Sequence, residues 1–184
     1  MKKLRLPPEP EVLQGLSAGD EVLLTGDALT LRDAALARME ALAAQGAGPP
    51  FELAGELVFY AAPTPAGAGR PCAAIGPTTS ARMDRFLPLL LESGVVAVLG
   101  KGPRGEEARA KHQEHGVVYF TAVGGIAALL GSRVDGIETV AWEDLGPEAV
   151  RRVSLSDFPV VVAIDSAGRD YLAGQRALYR REKQ

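Results

Sequence analysis

Cysteine is nearly absent from this chain: Cys72 is the only one in 184 residues. That excludes an internal disulfide, and it excludes an iron–sulfur cluster held by this chain alone, since such clusters take several thiolates. With no base identifiable beside it, Cys72 reads as a small buried residue rather than a nucleophile. Histidine is scarce too. His112 and His115 have an i,i+3 spacing that suits a metal, but the stretch 106–114 is highly charged and reads as a solvated helix face. No apolar run reaches the ~18 residues of a membrane span. The basic start Met1-Lys2-Lys3-Leu4-Arg5 runs into Pro7, Pro8 and Glu9 instead of the apolar segment of a signal peptide, so a cytoplasmic location is expected. Neither sign of charge dominates. Lys and Arg total 20 against 23 Asp and Glu, for a net charge of −3. Nothing there marks a nucleic-acid binder, and the basic tail Arg176, Arg180, Arg181 and Lys183 reads as a solvated helix end.

What is present is a chain long enough for one domain with a real core. Residues 1–19 read as an irregular, proline-rich lead-in arm. Residues 21–25 read as a strand, Gly26-Asp27 as a turn, and 31–44 as a helix stopped by Pro49-Pro50. Strands are expected over 56–61, 71–75, 95–99, 117–120, 137–142 and 160–164. Helices are expected over 86–91, 104–115, 124–130 and 167–180. This alternation predicts an α/β domain with an at least partly parallel sheet. The Gly- and Pro-rich stretch 46–76 is too irregular for a plain doubly wound fold.

Four places put polar or charged groups at the end of an apolar run, where open α/β sheets bind ligands. The most informative is Gly76-Pro77-Thr78-Thr79-Ser80-Ala81-Arg82-Met83-Asp84. A helix is expected to start near Thr79 or Ser80 with a hydroxyl as its cap. Arg82 in the first turn faces the positive end of the helix dipole, and a bound anion, most simply a carboxylate, reverses that disadvantage. A planar guanidinium takes a carboxylate through two parallel hydrogen bonds. In Thr30-Leu31-Arg32-Asp33, the arginine reads either as a surface ion pair or as a carboxylate binder oriented by its neighbour. Lys101, flanked by Gly100 and Gly102, has room for a ligand beside a compact point charge. The full phosphate-loop spacing around it is missing. Gly124-Gly125 is a generic anion-friendly turn. Together Arg32, Arg82 and Lys101 predict a small polyanionic ligand and suit a dicarboxylate. No nucleophile–base pair, cofactor site or metal cluster accompanies them, so the constellation reads as half of an active site.

These residues carry a resemblance. Arg32-Asp33-Ala34-Ala35, Tyr60-Ala61-Ala62-Pro63-Thr64-Pro65, the Gly76–Asp84 run, Gly100-Lys101-Gly102, Gly124-Gly125 and Asp157-Phe158-Pro159 resemble the C-terminal part of class I fumarases. The same part occurs as a separate β subunit in two-chain fumarases and in L-tartrate dehydratase. The likeness runs from about Leu6 to Leu172. It implies a swivelling β/β/α domain with a mixed sheet and flanking helices, spanning 1–184 as one domain. It implies the β subunit of a hydro-lyase that reversibly hydrates fumarate to L-malate, active only with its partner. The implied cofactor is a [4Fe-4S] cluster held by a cysteine-bearing α subunit, not by this chain. By the resemblance, Arg32, Thr78, Thr79, Arg82 and Lys101 bind substrate, and Thr78 and Lys101 carry catalysis, with Thr78 proposed for proton transfer near the reacting carbon. An unperturbed threonine is a poor base and would need a charged neighbour. The family often has a histidine after Arg-Asp-Ala-Ala, where this chain has Leu36. The expected partners are the α subunit and a small dicarboxylate, with homodimerisation open and neither nucleic acid nor membrane involved. Two alternatives stand beside this: a tartrate dehydratase β subunit, and a non-enzymatic module that binds small dicarboxylates.

Overall fold

The computed structural model describes residues 1–65 and 69–180. Arg181 and Lys183 of the basic tail lie outside the described residues. The chain order is β1 (Lys2–Leu6), α1 (Pro10–Gln14), β2 (Glu21–Thr30), α2 (Asp33–Ala44), β3 (Leu57–Phe59), β4 (Ala61–Pro63) and β5 (Ile75–Pro77). A 3₁₀ helix (Ser80–Phe86) leads into α3 (Leu87–Glu92). Then come β6 (Ala97–Gly100), α4 (Glu106–His115), β7 (Val118–Thr121), α5 (Ala127–Gly131), β8 (Val134–Ala141), β9 (Val150–Ile164) and α6 (Tyr171–Tyr179).

The fold is mixed α/β, with a mixed sheet and flanking helices. Seven strands lie in the order β1-β2-β3-β6-β7-β9-β8. The first five of these are mutually parallel. β9 is antiparallel to β7, to β8 and, through residues 151–161, to β2. It therefore closes the sheet: β2, β3, β6, β7 and β9 form a ring. β4 and β5 make a separate antiparallel pair.

The central parallel strands β3, β6 and β7 are buried on both faces, which is why they read as unbroken apolar runs. Side chains alternate by the period of two. Leu57, Phe59, Leu99 and Phe120 enter one core with Leu24 and Phe158. Val58, Tyr60, Val98 and Tyr119 enter the other with Leu36, Met39, Met83 and Phe86.

Several expectations are corrected. Residues 1–19 are not an irregular arm, since β1 pairs with β2 from Lys2 to Leu6 and α1 follows. Lys3 and Arg5 hid the strand because they point outward while Leu4 and Leu6 are buried. Gly26-Asp27 is not a turn. It sits at an irregularity inside β2, and Gly26 has φ 123° with the Leu6 carbonyl 2.4 Å from where a Cβ would stand. Only glycine allows β1 to approach there. The strand expected at 71–75 begins where that reading ended, at Ile75. The 3₁₀ helix has no side-chain cap at Thr79. His112 is not on a solvated face: it is fully buried, and its Nδ1–H donates to the Val117 carbonyl at 2.8 Å.

Candidate functional site

Because β2, β3, β6 and β7 run the same way, their carboxyl ends meet on one edge of the sheet. Arg32 follows β2, Lys101 follows β6, and Gly124-Gly125 follow β7. The Thr78 run reaches the same edge from β5, where its N–H donates to the Tyr60 carbonyl at 2.7 Å.

Lys101 and the threonines are joined through backbone. Lys101 N–H donates to the Thr78 carbonyl and Ser80 N–H donates to the Lys101 carbonyl, each at 3.0 Å. Two glycines permit this. A Cβ on Gly100 would stand 2.0 Å from Ser80 Oγ, and one on Gly124 would stand 2.9 Å from Lys101 Cδ. The Gly124 turn is therefore the floor under the Lys101 stem. Among the described residues, the Thr78 and Thr79 hydroxyls and the Lys101 ammonium make no hydrogen bond.

The two arginines meet at a carboxylate. Asp33 Oδ2 lies 2.9 Å from Arg82 Nη2 and 3.5 Å from Arg32 Nη2. Glu148 holds Arg32 from the other side, with Oε1 3.3 Å from Nη2, while its Oε2 accepts from Ala34 N–H at 2.8 Å at the start of α2. Arg32 Nε is buried without a hydrogen-bond partner among the described residues. Arg82 is half exposed and can turn toward a ligand. No described contact joins the Lys101 ammonium to either arginine.

Behind this edge lies a buried polar layer. The Arg104 guanidinium sits over the rings of Tyr60 and Tyr119, at 5.6 and 5.2 Å. Asp84 accepts from Arg104 Nε at 2.5 Å and from Gly105 N–H at 2.7 Å, tying the Thr78–Asp84 run to the turn after β6. Burial pushes the Tyr119 phenol up to about 12, against the opposing pull of the Ser80 bond and the Arg104 charge. Burial, then the Arg104 charge, bring His112 down to about 3, against the Val117 hydrogen bond. Sequence reasoning missed Ser80, Glu148, Arg104 and Tyr119 as parts of this edge. Of these only Ser80 carries a sequence signal, as a hydroxyl at the expected helix start.

Residues 3–174 match the model of the family described as Fumarase C-terminus. The chain belongs to that family. Within the fumarase C-terminal family, it is 33% identical over 169 residues to the anaerobic class I fumarate hydratase of Escherichia coli, a match covering 89% of this chain and 31% of that protein. It is 36% identical over 162 residues to the putative L(+)-tartrate dehydratase subunit beta of Methanocaldococcus jannaschii, covering 83% of this chain and 82% of that protein. With the L(+)-tartrate dehydratase subunit beta of Escherichia coli it shares 34% over 185 aligned positions, covering 97% and 90%. The chain thus spans about a third of the length of the fumarate hydratases it matches.

Proposed function

We propose that this chain is the β subunit, and the carboxylate clamp, of a hydro-lyase that reversibly hydrates fumarate to L-malate. The observation that carries the reading is Asp33 Oδ2 standing within reach of both Arg32 and Arg82. One carboxylate oxygen already bridges two guanidinium groups there, so a substrate carboxylate can take the same place. Lys101 and the Thr78 and Thr79 hydroxyls, the unbonded polar groups of the neighbouring turn, face the rest of the ligand. Arg32 and Arg82 fix its orientation, and Lys101 offsets negative charge that grows at the reacting end. In this reading Thr78 transfers the proton, and Lys101, backbone-bonded to it, is the charged helper that a weakly acidic hydroxyl requires.

The reading implies a [4Fe-4S] cluster, which supplies Lewis-acid chemistry to such hydro-lyases. The donor set here does not fit it. Cys72 is buried, with its thiol 3.8 Å from the Gly131 carbonyl and pushed up by burial. No trio of His, Cys, Asp and Glu is grouped for a metal among the described residues. The cluster therefore belongs in this reading to a cysteine-bearing α subunit, and the complete site to the pair of chains. The ring closed by β9 supports reading the fold as a swivelling β/β/α domain that carries its clamp toward the partner.

Tartrate in place of fumarate is the alternative reading. Relatives named as tartrate dehydratase β subunits are as similar to this chain as those named fumarate hydratases, and two arginines and a lysine suit either dianion. The test is Arg82→Ala in the complex with the α subunit. Loss of a preorganised charged donor should lower kcat/KM by about 10²-fold or more, with the variant still folded. Arg82→Lys should recover little of it, because an ammonium lacks the two-pronged geometry. Near-normal turnover in Arg82→Ala removes Arg82 from the site.

A further inference from the structure

We propose that Tyr119 is a positioning residue for Lys101, acting through Ser80. The inference rests on the reading of Lys101 as a substrate-facing residue. Tyr119 Oη lies 2.7 Å from the Gly102 carbonyl and 3.0 Å from Ser80 Oγ. Ser80 Oγ lies 3.0 Å from Lys101 N. The ends of this chain fix the direction of every proton. A carbonyl only accepts, so the Tyr119 hydroxyl donates to Gly102. Its oxygen then accepts from the Ser80 hydroxyl, and Ser80 Oγ accepts from Lys101 N–H. The chain starts on the amide of Lys101 and ends on the carbonyl of the next residue, so it closes a loop around the turn that carries the ammonium.

Water cannot substitute for a missing member, because the Ser80 and Tyr119 side chains are both fully buried. Tyr119→Phe takes the acceptor from the Ser80 hydroxyl and a donor from the Gly102 carbonyl, while Ser80→Ala leaves the Lys101 N–H, shared in the parent, with the Thr78 carbonyl alone. The phenol ring packs against Arg104, 5.2 Å from its centre, and against the His112 ring at 5.9 Å. The same turn bonds Thr78 through backbone. Tyr119 thus sets where Lys101 stands relative to Thr78 without touching substrate. A phenylalanine would preserve the packing in the second core and cut the chain.

The test uses Tyr119→Phe, Ser80→Ala and the double variant in the complex with the α subunit. The result expected is a fall in kcat of about tenfold or more, with KM within about threefold and the double variant no worse than about twofold below the weaker single, since coupled members of one network do not add. A merely structural role would lower the melting temperature and leave kcat per folded site intact. A kcat within twofold of the parent, or multiplicative losses in the double variant, overturns the proposal. If the parent complex turns over no dicarboxylate, the hydro-lyase reading fails, and amide exchange on the full chain judges the hydrogen-bond chain separately. The Ser80 and Lys101 amides should then exchange about tenfold faster in Tyr119→Phe, with those of β6 unchanged. Unaltered exchange at both overturns it.

Discussion

Asp33 stands between Arg32 and Arg82, and under the proposed function it holds the place of a substrate carboxylate and competes with it for them. Both Asp33 and Arg82 are well exposed, so the pair contributes at most ~1 kcal/mol. Asp33→Asn should therefore lower the KM for a dicarboxylate by up to about fivefold, the equivalent of that energy, as measured in steady-state assays of the complex. A raised KM would show that Asp33 orients the arginines more than it competes for them. His112 gives a pH signature of a different kind. Its folded value is about 3 against an ordinary 6.5. Between those values the unfolded chain binds a proton that the folded chain does not, so stability falls as pH drops through that window. It is fully present above the unfolded value. The slope is about 1.4 kcal/mol per pH unit. Urea midpoints measured from pH 7 to 4.5 should decline for the parent. In His112→Leu the loss of the Val117 bond should cost stability at pH 7 and the decline should flatten, so that the two curves converge in acid.

Among the elements, the turns matter more to the site than the helices do. Gly100 and Gly124 lie on either side of Lys101 and differ in what they touch. A Cβ at 100 meets the buried Ser80 hydroxyl at 2.0 Å and Tyr60 Cδ2 at 3.0 Å, neither free to move. Gly100→Ala should cost about 1–3 kcal/mol in denaturant unfolding, the range of overpacked cores. A Cβ at 124 meets the flexible Lys101 stem. Gly124→Ala should leave the unfolding midpoint nearly unchanged and shift activity instead, which comparing midpoint and kcat/KM would show. Strand ends explain what was legible in the sequence. Arg32 and Lys101 each follow an apolar run, and a parallel sheet brings such ends to one edge; Thr78 joins them from the separate β4–β5 pair, through its bond to the Tyr60 carbonyl. Tyr119 reads as one more apolar residue of β7, and its hydroxyl gains a role only when β6 lies beside β7. Arg104 reads as the start of a charged helix, yet its side chain is fully buried. Glu148 is 114 residues from the Ala34 amide it accepts from. A hydroxyl cap is expected near Thr79 or Ser80, but the segment forms a 3₁₀ helix without a side-chain cap.

Across the whole molecule, β9 closes the sheet into a ring with two distinct ends. The carboxyl ends of four parallel strands open on one edge. At the opposite edge, where β6 and β7 begin, lies a cavity of about 460 Å³ lined by Leu13, Leu91, Val96, His115 and Val117. It has no cluster of cations, so its size does not recommend it for a dianion. The cation-lined edge offers a clamp without a nucleophile or a metal-binding trio among the described residues, and the chain spans about a third of the fumarate hydratases it matches. Under the proposed function, the relatives named as β subunits support a site completed by another chain. The most direct measurement is anaerobic. This chain would be co-expressed with a cysteine-bearing α subunit, the cluster reconstituted, and fumarate, L-malate and tartrate assayed side by side against each chain alone. The account predicts turnover of one dicarboxylate with both chains present and none with either alone. A stable, cluster-loaded complex that hydrates or dehydrates none of them would contradict it and leave a dicarboxylate-binding module in its place.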